Sequence, residues 1–149
     1  MPNLFNPSDV NELVNRISKL TPDAQRQWGK MNVSQMLAHC NKGMESAMGL
    51  HHIPRAFIGR ILGPLFRATA LSDKPFGKNS PTDKSLIFTG EYNLEEEKLK
   101  LIAYIQAFMK GGADGCTKEP HAFFGHFTPD QWALFQWKHL DHHLRQFGV

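Results

Sequence analysis

No apolar run in the chain approaches the roughly 20 residues that a membrane-crossing helix needs, so no transmembrane helix is expected. The segment Met1-Pro2-Asn3-Leu4-Phe5-Asn6-Pro7 lacks a charged region followed by an apolar one, and no secretory signal is expected either. Cysteine is scarce. Cys40 and Cys116 alone do not make a disulfide framework, and reduced thiols in a cytoplasmic protein are the expectation. The chain also has no Gly-x-Ser-x-Gly elbow, no phosphate-cradling glycine loop and no dinucleotide fingerprint, which removes the commonest hydrolase, nucleotidase and dehydrogenase signatures. It has no aromatic-interleaved basic motif and no zinc-finger spacing. Neither nucleic acid nor a membrane is an expected partner.

What remains is a chain of 149 residues, 41% apolar and 21% charged, which fits one soluble domain over residues 1–149 with a proper core. The net charge of +3 is mild but uneven. Arg55, Arg60, Arg67, Lys74, Lys78 and Lys84 fall in a stretch whose only acids are Asp73 and Asp83. Such a bias attracts an anionic substrate, a phosphate or a nucleic acid, or is simply a solvated surface, which is the plainer reading. The unusual feature is histidine: there are eight, five of them after residue 120.

Helix signals can be counted. Asn6-Pro7-Ser8-Asp9 opens a first helix to about Leu20, with Val10, Leu13, Val14 and Ile17 as its apolar stripe. Thr21-Pro22-Asp23 predicts a short turn of helix before Gly29. Asn32-Val33-Ser34-Gln35 has a capping-box pattern and starts a helix running to about Gly49. A crossing segment from Leu50 to about Tyr92 follows. It is expected to contain one or two short helical pieces in 57–70, broken around Gly63-Pro64, and an extended stretch over 85–92. Asn93-Leu94-Glu95-Glu96 caps a helix that stops at Gly111-Gly112, and Thr128-Pro129-Asp130-Gln131 caps a last helix to about Phe147. Four substantial helices with one long connection predict an all-α four-helix bundle of up-down-down-up course, with a long crossover between the second and third.

The last helix carries Lys138-His139-Leu140-Asp141-His142-His143-Leu144-Arg145-Gln146. At about 100° per residue His139 and His143 lie about 40° apart, on the same side as Trp132, Phe135 and Gln146. Two imidazoles inside a core must find partners, and a transition metal satisfies both at once; a hydrogen-bonded core pair is the plainer alternative. His39 lies on the flank of its helix's apolar stripe, and Gly43 one turn on leaves space beside it for a metal and ligand or for a close-packed helix. His142 points about 60° off the stripe and reads as rim, while Asp141 reads as a solvated partner. His51, His52, His121 and His126 fall in loops, where surface is the default. Leucine at position 140 stands where a zincin motif needs its general-base glutamate.

A flanking histidine in the second helix followed by His-x-x-x-His-x-x-Gln in the last resembles the DinB/YfiT-like superfamily of metalloenzymes. Trp28-Gly29-Lys30-Met31, Met36-Leu37-Ala38-His39-Cys40 and 138–149 are similar to a bacterial branch of it without an assigned function. The resemblance implies an up-down-down-up bundle and a metal site for nickel, zinc or iron on His39, His139 and His143. Arg145 departs from it, standing where the superfamily usually has glycine. Better understood members transfer thiols or isomerise thiol adducts.

Two functions follow as expectations. The first is a metal-dependent transferase or hydrolase acting on a small thiol or anionic compound, with His142 or a loop histidine such as His126 moving a proton and Arg145 with the basic crossing segment holding the substrate's charge. The second is a non-catalytic metal- or ligand-binding protein. The apolar stretch 57–66 either supports a homodimer or covers an open side of the bundle.

Overall fold

The computed structural model describes residues 1–149 and is all-helical: five α-helices, two short 3₁₀ turns and no strand. The helices are α1 (Pro7–Ser18), α2 (Val33–Ala47), α3 (Phe57–Ala70), α4 (Leu94–Gly111) and α5 (Pro129–Gln146). The caps expected at Asn6, Asn32, Asn93 and Thr128 are formed. The Asn6 side chain accepts from the Ser8 N–H at 2.9 Å, and Asn93 from Glu96 at 3.0 Å. Asn32 with Gln35 and Thr128 with Gln131 close reciprocal capping boxes. Glu95, Glu96 and Glu97 crowd the first turn of α4, where the helix dipole favours negative charge.

α2 packs along α4 and α5, and α1 along α4 and α5. Val10, Leu13 and Ile17 of α1 meet Met36, Leu37, Cys40 and Met44 of α2, Leu101, Ile105 and Phe108 of α4, and Trp132, Leu140 and Leu144 of α5 in one continuous core. α5 is buried on nearly all sides, from Trp132 to Gln146. It is the helix the rest of the molecule wraps, so whatever it carries is held rigidly.

Three segments depart from expectation. Residues 57–70 form one unbroken helix with Pro64 inside it. Proline removes the hydrogen bond to the carbonyl four residues back. Here that carbonyl belongs to Arg60, an exposed residue on the outer side of the helix, where the loss is least costly. Residues 22–28 form a turn rather than a helix. Thr21 donates its hydroxyl to Asp23, and the Gln27 N–H is drawn to the Gln146 carbonyl at 2.8 Å, which pulls the chain along α5. Residues 85–92 form no strand. Asp83 accepts from the Ser85 N–H at 2.8 Å, starts the 3₁₀ turn Lys84–Leu86, and no neighbouring strand offers a ladder.

α3 is held by unusual means. Gly59 and Gly63 lie against the backbone of Phe123, so close that a Cβ on either would overlap it. Arg67 donates to the Phe124 carbonyl at 2.9 Å and to Gln131 at 2.8 Å. The buried Lys138 ammonium donates to the carbonyls of Ala70 (2.8 Å) and Ser72 (2.6 Å), finishing the C-terminal end of α3. Lys98 does the same for α1 through the Leu20 carbonyl at 3.0 Å. Phe57, Ile58, Ile61, Leu65 and Phe66 remain exposed, so the apolar stretch does not close the side of the helical core.

Candidate metal centre

α2 and α5 bring His39, His139 and His143 together, with one ligand atom from each lying within 4.8 Å of the others. Their rings are edge to face or tilted, with centroids 4.7–4.9 Å apart. The three residues can hold a metal ion. His39 and His143 are buried; His139 is half-buried, though its Nδ1 is shut off from solvent.

The hydrogen bonds around the rings determine which nitrogens are free. His39 Nδ1 lies 2.8 Å from the Leu86 carbonyl. A carbonyl only accepts, so Nδ1 carries the proton and Nε2 the bare lone pair. The His143 partner is Gln146, with Oε1 2.8 Å from Nδ1. The Gln146 amide cannot be turned round, because its NH₂ donates to the Trp28 carbonyl at 2.8 Å. His143 therefore also holds its proton on Nδ1 and its lone pair on Nε2. This is the arrangement that metal-binding imidazoles show, with one nitrogen oriented by an acceptor and the other free for the metal. His139 Nε2 lies 2.9 Å from His39 Nε2, so the two nitrogens must share either a proton or a cation.

The surroundings keep the rings neutral. Burial lowers the pKa of His143 to about 3, with the neighbouring His39 adding to it and the Gln146 hydrogen bond opposing it. Burial also lowers His39 against the pull of the Leu86 carbonyl, and carries His139 well below its ordinary value, helped by His143 and His39. Neutral imidazole is the ligating form.

Local sequence explains the close approach. Gly43 sits one turn beyond His39, and a Cβ there would stand 3.1 Å from His139 Cε1. The space read beside His39 is thus occupied by the His139 ring. Gly29, at φ +80°, lets the chain pass Gln146; a Cβ there would lie 2.5 Å from its Nε2.

His142 stands beside the group rather than in it, its ring centroid 5.1 Å from that of His143 and 5.4 Å from that of Trp28. Burial lowers its pKa, although Asp141 opposes the shift. It lines a cavity of about 370 Å³ with Trp28, Phe76, Lys78, Trp137 and Arg145. Arg145 pairs with Asp141 at 3.0 Å while its side chain stays 58% exposed. Asp141 corrects the solvated reading. It is buried, and Arg16 of α1 reaches it at 2.8 Å. α1 covers the side of α5 that a one-sided amphipathic helix would show to water.

His121 corrects the surface reading of the loop histidines. Its ring packs against Phe124, Phe127, Trp132 and Phe135, and Nδ1 accepts the backbone N–H groups of Phe123 and Phe124 at 3.1 and 3.2 Å. Burial lowers its pKa to about 4, with Arg55 and Arg67 adding to the shift. The unfolded chain then binds a proton that the folded chain refuses. Stability contributed by neutral His121 is complete above about pH 6.5 and is lost as pH falls toward about 4. The expected loss between pH 7 and pH 4 is on the order of 2 kcal/mol. Urea unfolding of the wild type and of His121→Gln, which keeps an acceptor without a titrating ring, isolates this part. An identical acid loss in both proteins would contradict it.

His126 and His52 are exposed, and His51 and His52 border a space of about 30 Å³ near Trp132, room for a water molecule. Both cysteines are free and buried. No helix is long and apolar enough to cross a membrane.

A helical protein with three histidines converging from two helices is the class these observations define. The family model for a protein of unknown function (DUF1569) matches residues 4–148, and the chain belongs to that family. No curated protein and no solved structure matches it.

Proposed function

We propose that the protein is a metal-dependent enzyme acting on a small molecule, related to the DinB/YfiT-like metalloenzymes. In this reading α1, α2, α4 and α5 form an up-down-down-up four-helix bundle, with residues 48–93 as the long crossover. The packing of α2 and of α1 against both α4 and α5 supports that course. His39, His139 and His143 hold nickel, zinc or iron. The observation that carries the proposal is the fixed tautomer of two of the rings, since Leu86 and Gln146 leave Nε2 of His39 and His143 bare. The free thiols support a cytoplasmic setting.

A divalent ion held by three imidazoles would supply Lewis acidity, bringing the pKa of a coordinated water toward about 7 and favouring the thiolate form of a coordinated thiol. The chain's own residues do the rest. The cavity beside His142 receives the substrate, Trp28, Phe76 and Trp137 lining its apolar side. Lys78, lying 4.6 Å above the Trp28 ring, and Arg145 hold a carboxylate or other anionic group. Lys138 is not available for this, because α3 carbonyls take its ammonium protons. His142 is neutral at pH 7, has no hydrogen bond to the protein, and accepts the proton released by the nucleophile. A thiolate nucleophile gives a conjugating transferase and hydroxide gives a hydrolase. The set of three ligands favours catalysis over a structural role, which takes a fourth protein ligand. The Cys40 thiol instead lies 3.6 Å from the Met36 sulfur.

Protein loaded separately with nickel, zinc or iron, then offered thiol acceptors and ester or amide substrates, tests the reading. Turnover should require metal and vanish together with it in His39→Ala. Full activity in metal-free protein would contradict the proposal.

A further inference from the structure

Gln136 and His139 are three residues apart on α5, as are His143 and Gln146 further along the same helix. The second pair is hydrogen-bonded, whereas the first leaves two buried atoms without partners: His139 Nδ1 and Gln136 Oε1. Both border the same point, lying 3.3 and 3.7 Å from where a Gly43 Cβ would stand. The orientation of the Gln136 amide is settled by its other end, since Nε2 donates to the Gly43 carbonyl at 3.3 Å. Its unsatisfied atom is therefore an acceptor.

That chemistry discriminates between the two states open to His139. If His139 shares a proton with His39, its Nε2 bears the hydrogen and Nδ1 is a bare lone pair, facing an oxygen that also lacks a hydrogen. If His139 gives its Nε2 lone pair to a metal, Nδ1 bears the hydrogen, and one side-chain adjustment pairs it with Gln136 Oε1. Both orphaned atoms are then satisfied, as buried polar atoms ordinarily are. We propose that Gln136 is a positioning residue that accepts a hydrogen bond from His139 Nδ1 and so selects the metal-binding tautomer of that ring. The two glutamines then flank the histidine pair symmetrically, in a Gln-x-x-His-x-x-x-His-x-x-Gln pattern over 136–146. This inference rests on the metal-site reading above and adds to it a residue and a tautomer.

Cobalt(II) and zinc affinities of wild type, Gln136→Leu and Gln136→Glu, measured by competition with a chelating dye, test it. Gln136→Leu should bind about 10–100-fold more weakly. Gln136→Glu, which keeps an acceptor at the same reach, should recover most of the loss. In zinc-loaded wild type, long-range ¹H–¹⁵N spectra should show a protonated Nδ1 on His139, a readout that needs no variant to fold. Equal affinities in wild type and Gln136→Leu, or a bare Nδ1 in the zinc form, overturn this inference and leave the metal site standing. A wild type that takes up neither ion overturns both.

Discussion

Gln146→Leu is expected to weaken metal binding by about 100-fold and to destabilise the fold by about 2 kcal/mol. The wild-type amide does two things at once. Its oxygen accepts from His143 Nδ1 and its NH₂ donates to the Trp28 carbonyl, both at 2.8 Å and with Gln146 itself buried. Leucine fills nearly the same volume but leaves an N–H and a carbonyl without partners, and each such group costs about 1–3 kcal/mol where water cannot replace the bond. The His143 ring is then free to turn or to change tautomer, which lowers its worth as a ligand. The strand of chain at 27–29, pinned by the Gln27 N–H on the Gln146 carbonyl, keeps its backbone bond. The variant should therefore stay folded. Chelator competition and urea unfolding measure the two effects; an unchanged metal affinity would show that Gln146 does not orient the ligand.

Asp141→Ala should cost about 3 kcal/mol of stability. Asp141 and Arg16 have side chains only 11% and 15% exposed, and they join α5 to α1 at 2.8 Å. Removing the carboxylate leaves a guanidinium that folding has largely desolvated with only the exposed Glu12 carboxylate, at 3.3 Å, and breaking a buried pair in this way typically costs about 3–5 kcal/mol. The low end applies because the other Arg16 nitrogen keeps the Val149 carbonyl at 3.0 Å. Arg145→Ala, which removes the exposed half of the network, should change stability by no more than about 0.5 kcal/mol. The double replacement Arg16→Met with Asp141→Leu should recover most of the loss, since neither charge is then left alone. If Asp141→Ala and Arg145→Ala prove equally mild, Asp141 is in effect the solvated residue that its helical angle alone suggests.

That angle shows how far sequence reasoning reaches. Caps are local chemistry, and Asn6, Asn32, Asn93 and Thr128 mark the starts of α1, α2, α4 and α5 where the structure has them. The histidine spacing is equally local, and His139 with His143 needs only the helical repeat to share a face. Burial of Asp141 is not local. It depends on a second helix, α1, lying over a side of α5 that periodicity alone assigns to water. His121 is a similar case, since its enclosure comes from Phe127, Trp132 and Phe135 folding back over a loop. The continuity of α3 through Pro64 turns on where the lost hydrogen bond falls, at the exposed residue Arg60, which composition does not reveal. Leu86 was beyond reach for another reason. Its backbone carbonyl orients His39, and backbone acceptors leave no signature in residue type.

The central claim is that three neutral imidazoles, from α2 and α5, hold one metal ion. Elemental analysis of purified, untagged wild type beside His139→Ala tests it most directly. The account predicts about one nickel, zinc or iron per chain in the wild type and none in the variant. No metal in either protein, even after incubation with all three ions, would contradict it, leaving His39, His139 and His143 as rings that only pack.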